Sequence, residues 1–98
     1  MFKQRSELSI PKAAKKQSDA VEILRVWTAG GSQHVILKTG VWADPAAWGL
    51  MLVDLARHVA NTYAADGMDK KAALDRILEA FRVEMESPTD EPTGGISS

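Results

Sequence analysis

Acid–base or metal chemistry has few residues to draw on in this chain: two histidines, His34 and His58, no cysteine, and carboxylates scattered along the sequence. Asp54 and His58 stand four residues apart with Arg57 beside them. On a helix that spacing puts carboxylate and imidazole on one face, where an acidic group can orient a histidine for proton transfer. The same spacing also makes an ordinary surface pair, with Arg57 competing for Asp54. We therefore read Asp54, Arg57 and His58 as a polar cluster and assign no catalytic residue. An enzyme built on these three is the weakest functional reading, because active sites converge more polar groups than this. Two histidines without cysteine fall short of a zinc ligand set, so no metal and no cofactor is expected. Gly30-Gly31-Ser32 lacks the spacing and the following helix of a phosphate loop, and no serine sits in a nucleophile elbow.

Arg25, Trp27, His34 and Lys38 form a second set. Cations interleaved with an indole suit an anionic or aromatic ligand, provided one surface holds all four. That depends on how residues 21–38 fold. Residues 20–28 are open to two readings. Ala20, Ile23, Leu24 and Trp27 fit a helical stripe with Ser18 as its cap, yet β-branched and aromatic residues dominate and a second such run, His34–Lys38, follows at once. Gly30-Gly31 between them is a two-residue turn of the kind that closes hairpins. With those glycines at the turn, Ala29 faces Ser32, Val26 faces Val35 and Leu24 faces Leu37, so Leu24, Val26, Val35 and Leu37 make one wholly aliphatic face. The other face pairs Trp27 with His34, Arg25 with Ile36 and Ile23 with Lys38, and it carries all four candidate ligand-binding residues. The register favours the hairpin, over 21–38.

The rest of the chain must position that face. Asp44 is a helix cap and Pro45 suits a first helical position, where its missing N–H costs nothing. Trp48, Met51, Leu52, Leu55, Val59 and Tyr63 then recur at helical spacing, and Asp66-Gly67 ends the run, predicting a helix over 45–65. Trp42, two residues before the cap, is placed to pack on the first turn as a staple. Leu74, Ile77, Leu78, Phe81 and Met85 form the stripe of a second helix over 69–86, stopped by Ser87-Pro88. Residues 1–18 read as a mostly irregular segment in which Leu8–Ile10 is a candidate edge strand, cut off by Pro11. Residues 88–98, rich in Pro, Gly, Ser and Thr, read as a disordered tail.

The expected architecture is a single α+β domain over 19–87: two layers, an N-terminal β-hairpin packed on an antiparallel pair of α-helices. Leu24, Val26, Val35 and Leu37 would meet Trp48, Leu52, Leu55 and Val59 in its core. A two-stranded sheet is marginal alone, so its edges call for another strand from Leu8–Ile10 or from a second subunit.

At 98 residues and 45% apolar content the chain supports one modest core. A net charge of -1 speaks against an electrostatically driven nucleic-acid binder. No apolar run approaches the ~20 residues of a membrane span and the charged N-terminus lacks a signal-peptide core, so the expected location is the cytoplasm and no membrane partner is expected. Basic residues gather before position 17 and acidic ones after 83, which reads as two solvated ends. Leu50, Val53 and Val83 fall away from the helical stripes, and apolar residues so placed on a small domain point to a subunit interface.

Ile23–Trp27, Gly31–Val35, the stretch Trp42-Ala43-Asp44-Pro45-Ala46-Ala47-Trp48-Gly49 and Asp54–Ala60 together resemble a family of small bacterial proteins catalogued only as a domain of unknown function. The resemblance covers roughly residues 7–88. It implies a small α+β cytoplasmic protein and brings no activity, cofactor or catalytic residue with it. The leading expectation is a non-enzymatic interaction or regulatory protein that works as a homodimer, with a further, unidentified protein partner possible. The alternative is a small anionic-ligand-binding module using the Arg25/Trp27/His34/Lys38 face.

Overall fold

The computed structural model of the protein describes residues 6–89 and, as backbone, residues 93–97. Alternating side chains and the Gly-Gly turn do what their pattern dictates. β1 (Leu24–Ala29) pairs antiparallel with β2 (Ser32–Lys38), with Leu24 opposite Leu37, Val26 opposite Val35 and Trp27 opposite His34. Gly30 and Gly31 have φ of 59° and 79°, the two left-handed residues that a type I′ turn needs to match the strand twist. The ambiguity over residues 20–28 thus resolves to strand from Leu24 onward, and Lys38 closes the ladder by donating its amide to the Ile23 carbonyl at 3.0 Å.

The C-terminal stretch departs from the sequence expectation. Within residues 88–98, read as a disordered tail, Thr93–Ser97 form β3, which runs parallel to β2 with Leu37 opposite Ile96. Composition was a poor guide because the outer edge of β2 offers a row of unpaired backbone groups, and a strand can pair with these whatever its side chains. The sheet order is β1-β2-β3, so the hairpin's added strand comes from the tail. Leu8–Ile10 does not join it. Residues 6–8 pass beside β1 without pairing, and Lys12–Lys16 form one short helix, α1. Residues 1–5 of that segment and 90–92 and 98 of the tail lie outside the described residues.

The two long helices are α2 (Ala46–Ala65) and α3 (Lys70–Glu86). Asp44 accepts the Ala46 amide at 2.9 Å, with helical Pro45 next in line. Asp69 accepts the Ala72 amide at 2.9 Å at the start of α3. The end of α2 is a full Schellman turn. Gly67, at φ 104°, donates to the Ala64 carbonyl and Met68 to that of Tyr63, both at 3.1 Å. Among the described residues no helix is long and apolar enough to cross a membrane.

The class is α+β, an antiparallel hairpin followed by two helices, and the packing holds a surprise. α2 packs on α3 and the strands pair with one another, but among the described residues no strand comes into backbone contact with a helix. Among the described residues only Ala60 and Ala73, at 0% and 3% exposure, are buried apolar side chains. The expected core pairing of sheet and helix is therefore corrected. Val26, Leu52, Leu55 and Val59 are exposed, and Leu24, Val35, Leu37 and Trp48 are half-buried. At 100° per residue, Ala60 lies roughly 100° around α2 from the Trp48–Leu52–Leu55–Val59 line. Helix pairing therefore uses small side chains on α2's flank and leaves its apolar stripe open. The radius of gyration is 15.9 Å, against about 13 Å for a compact chain of this length.

Candidate functional site

The period-two alternation of the strands puts Arg25, Trp27, His34 and Lys38 on one face of the hairpin, as the register requires. Trp27 and His34 are direct cross-strand partners. With Ala29, Val35 and Ile36 they line an open hollow of about 310 Å³ whose walls are mostly apolar. His34 Nε2 lies 3.3 Å from the Ala29 carbonyl oxygen, to which it donates when that nitrogen carries the proton. Lys38 lines a second hollow, of about 290 Å³, with Ile23, Arg25 and Ile36.

Two residues that the sequence reading missed change the electrostatics of this face. Arg25 Nη2 sits 2.8 Å from Glu22 Oε1, and Nη1 sits 3.2 Å from Glu7 Oε2. The guanidinium is thus already engaged by two carboxylates, and its charge is offset before any ligand arrives. Glu22 was findable in principle, being three residues away. Glu7 was not, because only the path of residues 6–8 beside β1 brings it there. What remains is an aromatic and aliphatic hollow with one cation, Lys38, at its side.

Asp54, Arg57 and His58 stay together on the solvent face of α2, all three exposed. No hydrogen bond or ion pair joins Asp54 to His58 among the described residues, and the helix stands apart from the hairpin. The two candidate sets do not converge. Among the described residues no three His, Asp or Glu side chains gather as metal ligands. On α3 and at its exit, two side chains titrate away from their ordinary values. A hydrogen bond from Lys71 to Asp75, reinforced by the carboxylate's charge, raises the lysine. The Thr89 hydroxyl, then the Thr89 amide, donates to Glu84 and lowers its carboxyl.

A second feature is an extended apolar surface. Leu52 and Leu55 on α2 are each 45% exposed, Phe81 on α3 is 54% exposed, and Val59, Tyr63, Leu78 and Met85 are open as well. Leu50, off the stripe, is 71% exposed, as its place on the helical wheel predicts. The chain presents 8891 Å² to solvent, where a compact monomer of 10.7 kDa presents about 5,500 Å².

Residues 7–89 match a protein family described as Domain of unknown function (DUF5076). No curated protein matches the chain. Among solved structures, one from the photosynthetic bacterium Rhodopseudomonas palustrus CGA009, described as "a putative pyruvate dehydrogenase", is 34% identical. It superposes with a TM-score of 0.76, over 94% of this chain and 95% of that one.

Proposed function

This chain belongs to the DUF5076 family, a domain of unknown function, and on that footing we propose that it is a cytoplasmic, non-enzymatic interaction or regulatory protein that works as a homodimer. The observation that carries the reading is the open apolar surface. Both the aliphatic face of the hairpin and the stripe of α2 are built as one side of a core, and among the described residues neither is fully covered. Apolar patches of that extent on a small domain mark association surfaces. A second copy supplies the missing cover without any new sequence, because a two-fold axis makes each patch serve twice. The neighbour's name assigns dehydrogenase activity to that protein. On this chain the hollows of the hairpin are open and the candidate polar residues fall in two separate groups, which supports binding over reaction. Sedimentation at micromolar concentration tests the reading: the expected mass is two chains, and a mass of one chain unchanged on concentrating refutes it.

The alternative, a small-ligand module on the Arg25/Trp27/His34/Lys38 face, draws support from the hollow beside Trp27. The two carboxylates on Arg25 favour an aromatic ligand over a simple anion. Quenching of Trp27 fluorescence by an aromatic carboxylate, absent in Trp27→Phe, would support it; equal quenching in both proteins would count against it.

A further inference from the structure

Resting on the homodimer reading, we infer how the two copies fit: the aliphatic sheet face of each chain, Leu24, Val26, Val35 and Leu37, covers the α2 stripe of the other. Three observations lead there. First, β2, α2, α3 and β3 form a crossover between parallel strands, the connection whose helices ordinarily lie on the sheet, yet among the described residues the backbones of strands and helices do not come into contact. Second, the linker that would have to fold the sheet back is already committed. Gly40 holds φ 77°, Asp44 caps α2, and Trp42 packs edge-on against Trp48 with ring centroids 5.0 Å apart. Residues 42–48 are thereby held together at the start of α2. Third, each chain exposes about 3,400 Å² more than a compact monomer of its mass, above the roughly 1,000–2,500 Å² that one partner contributes to an obligate dimer's interface, so a second copy has ample surface to cover.

The identity of the occupant follows from what each pairing would leave in water. A dimer joined α2 to α2 covers the helical stripe and leaves Leu24, Val26, Val35 and Leu37 wet. A dimer joined sheet to sheet leaves Leu52, Leu55 and Val59 wet. Sheet on helix across a two-fold axis covers both faces, and does so twice. The result in each half is the two-layer α/β packing that the sequence pattern calls for, assembled from two chains.

The absence of cysteine gives a clean test. Val26→Cys and Leu55→Cys chains, at half-exposed positions and carrying tags of different mass, are mixed and treated with a bismaleimide that spans about the 10 Å between packed layers. The expected product joins a Val26→Cys chain to a Leu55→Cys chain. Its yield should exceed that of Val26→Cys with Leu50→Cys, a position off the stripe, by about tenfold, since assembly raises the local concentration of one thiol near the other. Val35→Cys with Leu52→Cys repeats the experiment should either first variant fold poorly. Two-chain mass with only Leu55→Cys to Leu55→Cys or Val26→Cys to Val26→Cys products overturns the exchange and spares the dimer. One-chain mass, with the doubly substituted protein cross-linked within itself, overturns both.

Discussion

Trp42 meets Trp48 edge to face, with ring centroids 5.0 Å apart and planes at 76°. The contact adds to the Asp44 cap at the entry of α2, so that a side chain outside the helix and one in its first turn fix the same corner. Trp42→Ala should therefore lower stability by about 0.5–1.5 kcal/mol for the ring pair plus the area lost with it, read as a drop in Tm. Trp42→Phe should restore most of it, as Phe retains an aromatic edge. An unchanged Tm in Trp42→Ala would show that the corner is not under load.

The two carboxylate caps should behave alike. Asp44→Ala and Asp69→Ala each remove a 2.9 Å acceptor from a free amide of a first turn, at an expected cost of about 0.5–2 kcal/mol. Asn at either position should recover most of the loss. Denaturant midpoints of the four variants check this.

Leu55 distinguishes a monomer core from a subunit contact. Half-exposed as it is, Leu55→Ala should do little to one chain alone. It should instead weaken association. The Tm of the parent protein is expected to rise with protein concentration, by mass action, and that rise should shrink in Leu55→Ala. A parent Tm flat across a wide concentration range would contradict the assignment.

At the exit of α3 the prediction concerns pH. The Thr89 hydroxyl, and after it the Thr89 amide, hold the Glu84 carboxyl below its ordinary value. A carboxyl lowered on folding stabilises the fold above its unfolded pKa and loses that contribution as pH falls through the folded one. Glu84 is fully exposed, so the effect on stability is small and the titration itself is the readout. In Thr89→Val the NMR-monitored Glu84 midpoint should move upward toward the ordinary value. The amide donor, which remains, should keep it from returning completely.

What the sequence discloses and what it hides divide by the range of the forces involved. The hairpin register follows from two glycines and a short alternation, and both helix starts from an aspartate at each. All are matters of a few adjacent residues. The face shared by Arg25, Trp27, His34 and Lys38 was legible for the same reason. Glu7 on Arg25, β3 on β2 and the gap between layers depend on segments far apart in the chain, and no local pattern encodes them. The stripes of α2 and α3 say that something must cover them. They are silent on whether it comes from the same chain.

The parallel pairing of β2 with Thr93–Ser97 has a consequence in time. Turn and helix-pair contacts close between neighbours in sequence, on microsecond scales, whereas β3 can dock only after both helices have been made and the chain has returned. On the ribosome, the outer edge of β2 is therefore a vacant template from the moment the hairpin forms until residues 93–97 emerge. Throughout that interval it is open to any extended segment nearby, including the β2 of a neighbouring nascent chain.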